Sequence, residues 1–266
     1  MMRKVLLGAS MLAVASSSFA ITPGDGSDTN TSDFRFVGTV NGASGVLIGS
    51  NWVLTAKHVG AGTFTLPGIG TFAQVGAAID HPTDDLTLFR IDSNLSDYAT
   101  IDVSGTSLGS LITMVGFGSS GSLNANADGY DINLASGIRR KATGLIEGTA
   151  FIDSPGIRAY SLVAPLRQNG QGAIAGGDSG GGWFTGSNRL VGINSWIGTF
   201  GNFNDNYRFS SDSENFFASG AVDLSKYKSW FQENNVAVVP EPSTMTCFAM
   251  ASLVLVRRKF KLQSKK

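Results

Sequence analysis

Gly177-Asp178-Ser179-Gly180-Gly181 surrounds one serine with small residues and an acid. A serine hydroxyl is a poor nucleophile at neutral pH. Chemistry at Ser179 therefore needs a nearby base, and that base needs a carboxylate to fix its tautomer and stabilise its charged form. The 266-residue chain has two histidines, both upstream of the serine. His58 closes Thr55-Ala56-Lys57-His58, and His81 opens His81-Pro82-Thr83-Asp84-Asp85-Leu86-Thr87-Leu88. Glycines on both sides of Ser179 let the backbone bend until two amide N–H groups point at one spot.

Read together, these segments resemble the trypsin/chymotrypsin-like serine peptidase family, in which His, Asp and Ser arrive in that chain order. The resemblance implies that Ser179 is the nucleophile, His58 the base and Asp85 the orienting acid. It also makes the amides of Gly177 and Ser179 the oxyanion hole, where one donor is worth roughly 3–4 kcal/mol in the transition state. Asp84 is the rival acid; Asp85 is favoured because the apolar run Leu86-Thr87-Leu88-Phe89 follows it directly. His81 reads as structural. The serine stretch also fits G-x-S-x-G, the nucleophile elbow of α/β-hydrolases, but that fold places its histidine after the serine. Each piece alone has a plainer reading: a glycine-rich surface loop, a hydrogen-bonded core histidine, a turn-capping aspartate. Three segments in the right order carry more than any one of them.

Short apolar runs cut by glycine and polar turns recur at 36–40, 86–91, 111–117 and 158–163, the pattern of an all-β barrel or sandwich. Residues 45–56 read as strand, Gly-Ser-Asn turn and strand ending at the histidine. Val115-Gly116-Phe117-Gly118 resembles the segment that opens the family's second barrel. Val191-Gly192-Ile193-Asn194-Ser195-Trp196 resembles the strand that pairs with substrate and lines the specificity pocket. Asp223 caps a helix whose apolar face is Leu224, Tyr227, Trp230 and Phe231. The implied architecture is all-β: two packed six-stranded Greek-key β-barrels with a C-terminal helix, the triad lying between the barrels. The stretch 119–128 reads as a mobile surface loop.

Both ends read as addresses, with the catalytic domain at 21–238. Residues 1–20 form a signal peptide: Met1-Met2-Arg3-Lys4, an apolar run, then Ser18-Phe19-Ala20 for signal peptidase. Residues 239–266 resemble the PEP-CTERM sorting signal, with Pro240-Glu241-Pro242, an apolar run from Met245 to Val256 and Arg257-Arg258-Lys259. That signal is processed by a membrane-bound exosortase in Gram-negative bacteria. The 12-residue run is short of the ~20 residues of a spanning helix, so transient membrane association is expected. The destination is then outside the inner membrane, secreted or at the cell surface.

The lone cysteine, Cys247, lies in that tail, so the domain has no disulfide. With two histidines and no cysteine cluster, no metal site of the zinc type is expected, and no cofactor. Asp205, Asp212 and Glu214 read as a solvated acidic loop. Residues 21–238 hold 12 basic against 19 acidic residues, a net charge of −7 that argues against nucleic acid as a partner. Arg139-Arg140-Lys141 reads as a solvated turn.

Ala173, six residues before Ser179, stands where relatives that cut after Arg or Lys carry an acid, so cleavage after basic residues is not expected. The wall strand reads Ser195-Trp196-Ile197, with branched Ile197 where the family usually has glycine, which implies a shrunken pocket for small or medium apolar side chains. By the same resemblance, Asp178 would pair with a new N-terminal amine, here Ile21, freed by signal cleavage. The function implied is a secreted serine endopeptidase acting on protein or peptide substrates through an acyl-enzyme. The alternatives are a catalytically idle member of the fold that binds partners at the cell surface or matrix, and an esterase for small acyl esters.

Overall fold

The computed structural model describes residues 33–123, 130–134, 136–166, 171–186, 189–200 and 216–239. The expected leader at 1–20, Ile21, the acidic loop residues and the tail from Pro240 onward lie outside them.

The first sheet holds β1 (Val37–Val40), β2 (Ala43–Leu47), β3 (Trp52–Thr55), β4 (Phe64–Leu66), β5 (Gly70–Phe72), β6 (Gln74–Asp80) and β7 (Thr87–Ile91). Their order is β5-β4-β1-β2-β3-β7-β6, all antiparallel. The β1–β2 hairpin closes on Asn41-Gly42, with φ of 50° and 76°. A two-residue turn matching strand twist requires positive φ at both positions, and Asn-Gly adopts it readily. The turn between β2 and β3 is closed by the Ile48 amide donating to Trp52 O, 2.8 Å away.

After β8 (Thr100–Asp102), the second sheet is built from β9 (Leu111–Gly116), β12 (Arg140–Leu145), β13 (Gly148–Ser154), β14 (Ile157–Pro165), β15 (Gly182–Thr185), β16 (Arg189–Phe200) and β17 (Phe216–Asp223). Its order is β12-β9-β15-β16-β17-β14-β13, with β8 joining β16 in parallel and β18 (Val238–Val239) joining β8. The two main sheets thus hold seven and nine described strands. Between β9 and β12, β10 (Ser120–Leu123) and β11 (Tyr130–Leu134) form a separate hairpin, so the first half of the expected loop at 119–128 is paired strand.

One apolar cluster joins the sheets. Phe34 and Phe36, at the entry to β1, meet Phe184 of β15 at ring distances of 4.9 and 5.6 Å. Burying such rings supplies most of the drive that holds one sheet to the other. The chain then turns through a 3₁₀ segment, Leu224–Tyr227, into α1 (Lys228–Glu233). Asp223 caps it by accepting from the Ser225 amide at 3.1 Å, and Leu224, Tyr227, Trp230 and Phe231 are buried, as their spacing predicts. Among the described residues no helix is long and apolar enough to cross a membrane.

Candidate active site

His58 follows β3, and Asp85 sits in the turn between β6 and β7, the strand that pairs with β3. Adjacent strands bring the two side chains together across 27 residues of sequence. His58 Nδ1 lies 2.9 Å from Asp85 Oδ2 and 3.0 Å from Oδ1, while the His58 amide donates to Oδ1 at 2.9 Å. A third donor is the Ser195 hydroxyl, on Oδ2. The carboxyl is buried, and these donors replace the water it has lost. Because an ionised carboxylate only accepts, Nδ1 of neutral His58 carries its proton and Nε2 keeps a lone pair.

Asp84, the rival acid, faces elsewhere: its Oδ1 lies 3.3 Å from Arg158 Nε, and its amide donates to His81 Nδ1 at 3.0 Å. His81 sits edge-on to Tyr227 and Trp230, with ring centroids 5.0 and 5.3 Å away. Burial lowers its pKa, which suits a ring nitrogen that must stay unprotonated to accept. The turn carrying Asp85 is also pinned to the second sheet, its amide donating to Arg158 O at 2.7 Å.

Ser179 lies in the loop before β15. Its carbonyl accepts from the Ser44 amide of β2 at 2.9 Å. Gly180, with φ of 81°, packs so closely on the first sheet that a Cβ there would stand 2.1 Å from both Ser44 O and Thr55 Oγ1. The serine is therefore seated against β2 and against the end of β3, three residues from His58. Among the described residues its Oγ makes no hydrogen bond, and the amides of Gly177 and Ser179 also make none. Gly177 has φ of 96°, in the left-handed region, and a Cβ there would be 2.9 Å from Gly118 Cα.

Asp178 is fully buried. Its two carboxylate oxygens accept from the Gly118 amide at 2.7 Å and the Ala175 amide at 2.8 Å. Burial pushes its pKa up to about 7, against the pull of those amides and the charge of Arg140. Arg140 corrects the expectation of a solvated turn at 139–141: both arginines are buried, and Arg140 Nη1 donates to Gly118 O at 3.1 Å. Gly118 thus links guanidinium to carboxylate, its carbonyl accepting from one and its amide donating to the other. Nothing in the tripeptide signals this, because its partners arrive from across the second sheet.

The three wall residues separate. The β16–β17 register slips between Asn194 and Trp196, making Ser195 a bulge residue whose hydroxyl goes to Asp85. Its hydroxyl is therefore engaged with the acid. Trp196 is buried with Ala150, Val163 and Ala218, its Nε1 donating to Ser161 Oγ at 2.9 Å. Ile197 is exposed, and its partner across the ladder is Ser219. Ser219 Oγ accepts from the Ile174 amide at 2.9 Å, next to buried Ala173. The Ile174 amide thus holds the 173–174 segment against β17, at the position paired with Ile197. Ser219 was invisible in sequence, since only the β16–β17 pairing sets it opposite Ile197.

Among the described residues, no group of three histidine, cysteine or acidic side chains could hold a metal ion. Residues 23–217 match the family model for trypsin. Comparison with curated proteins gives no match. A predominantly β fold with this domain defines a serine-type endopeptidase, a hydrolase of protein or peptide substrates. The chain belongs to the trypsin family.

Proposed function

We propose that residues 21–238 are an exported serine endopeptidase in which Ser179, His58 and Asp85 act as the triad. The observation that carries this is the His58–Asp85 pair with Ser195 behind it, a base held in the tautomer that leaves Nε2 free. Ser179 Oγ attacks the substrate carbonyl carbon while Nε2 takes its proton, and the oxyanion settles on the amides of Gly177 and Ser179. The C–N bond then breaks as His58 returns the proton to the leaving amine. Water, deprotonated in turn by His58, releases the acyl group. The edge of β16 beyond Asn194 has no described strand on its far side, which leaves it available to pair with a substrate backbone.

The pocket floor is Ala173 and its walls are Ile197 and Ser219, which suits small apolar side chains and gives no countercharge for Arg or Lys. In this reading six strands of each main sheet form a Greek-key barrel and the remaining strands flank it. Residues 1–20 are removed by signal peptidase. Residues 239–266 are a PEP-CTERM signal handled by exosortase during export across the inner membrane of a Gram-negative bacterium, with transient membrane association, toward the cell surface or medium. A fluorophosphonate probe tests the catalytic claim: Ser179 is labelled in the wild type and not in Ser179→Ala or His58→Ala. No wild-type labelling would sink it. Mass-spectrometric profiling of peptides cut by residues 21–238 tests the pocket, and a profile dominated by Arg or Lys would overturn that part.

A further inference from the structure

Ser44 of β2 is completely buried, and every polar group it owns is engaged. Its amide donates to Ser179 O at 2.9 Å, and its carbonyl accepts from Thr55 Oγ1 at 2.8 Å. Its hydroxyl donates to Gly177 O at 2.9 Å and accepts from the Phe117 amide, also at 2.9 Å. A serine hydroxyl has a single proton, so these two bonds have one consistent assignment. One residue of the first sheet thus holds the carbonyls of both Gly177 and Ser179 and reaches the second sheet through Phe117.

We infer that Ser44 is a positioning residue of the oxyanion hole, its hydroxyl fixing the loop 176–179 in the form whose amides can receive a developing negative charge. The inference rests on the assignment of Gly177 and Ser179 as oxyanion donors. Peptide units are planar and trans, so an N–H points opposite to the C=O of its own unit. The Gly176 carbonyl is held by the Ser119 amide at 2.9 Å, which turns the Gly177 N–H the other way. The next unit, between Gly177 and Asp178, is held at both ends, Ser44 Oγ donating to Gly177 O at 2.9 Å and the Asp178 amide donating to Ala175 O at 3.0 Å. With both flanking units pinned, Gly177 keeps its φ of 96°, a conformation glycine alone tolerates and nothing in the local sequence enforces. Remove the hydroxyl, and the part-buried Gly177 carbonyl and the buried Phe117 amide lose their partner together, which leaves the unit held only through the Asp178 amide and freer to leave its working orientation.

Ser44→Ala tests this in the full-length protein, with kinetics on a peptide p-nitroanilide chosen from the cleavage profile and rates normalised to fluorophosphonate-titrated sites. The expected result is a fall in kcat of about 10- to 100-fold, less than direct loss of an oxyanion donor, with KM within about twofold. A peptide aldehyde, which forms an oxyanion on binding, should weaken in parallel, while the matching peptide alcohol binds as before. If normalised kcat and aldehyde affinity equal the wild type, the role of Ser44 is overturned, whatever the melting temperature does. Should Ser44→Ala not fold, Ser44→Cys, similar in bulk but a weak donor and acceptor, is held to the same criteria. A wild type that neither labels nor cleaves would instead overturn the catalytic reading itself, so the two failures are distinct.

Discussion

Ser195 Oγ lies 2.5 Å from Asp85 Oδ2, the length of a charge-assisted hydrogen bond, across 110 residues of sequence. The contact exists because a bulge in β16 turns Ser195 out of the regular alternation and toward the first sheet. Together with the His58 ring and amide it surrounds a buried carboxylate with donors in place of water.

Two adjacent aspartates should therefore behave very differently. Asp85→Asn should lower kcat by about 10⁴-fold, since an amide at that position favours the wrong tautomer of His58. Asp84→Asn should leave kcat within about fivefold, because Asp84 faces Arg158 and His81. Steady-state kinetics on the same peptide compares them, and equal losses would reverse the assignment.

Asp178 gives stability a pH dependence of known sign. Its pKa is raised from the ordinary 3.8 to about 7, so between those values the folded chain keeps a proton that the unfolded chain has released. Stability from this group is therefore full below about pH 4 and is lost as pH rises through about 7. Urea midpoints at pH 5 and pH 8 should show the wild type weaker at pH 8. In Asp178→Asn that component of the difference should vanish, even though the variant starts lower by losing an acceptor for one of two buried amides.

Ile197 and Ser219, paired across β16 and β17, set the proposed pocket width. Replacing both by glycine should shift the ratio of kcat/KM for Phe over Ala at the cleaved position upward by about 10-fold or more, as a few methylenes of pocket space are worth 1–3 kcal/mol. Competition between two fluorogenic peptides measures it, and an unchanged ratio would remove these residues from the pocket.

Phe184→Ala should cost about 3–5 kcal/mol of folding stability, since the ring is buried against Phe34 and Phe36 where the sheets meet. Leu111→Ala, at an exposed site, should stay within about 0.5 kcal/mol. Chemical denaturation checks both.

The sequence by itself determined the β-rich class, the capped C-terminal helix and the order His58, Asp85, Ser179. The first two are properties of periodicity and turn chemistry, which a linear chain displays, and the third was read through resemblance to the trypsin-like family. It also singled out Asp85 over Asp84, from the apolar strand that follows it. Ser44, Ser195, Ser219 and Arg140 gave no signal, because a lone serine or a basic tripeptide means nothing until strand pairing supplies its partner. Only the tertiary structure decided that Arg140 goes inside and that the Ser195 hydroxyl meets the acid. Hydrogen bonds between strands far apart in sequence depend on register, and a single bulge changes which way a side chain points.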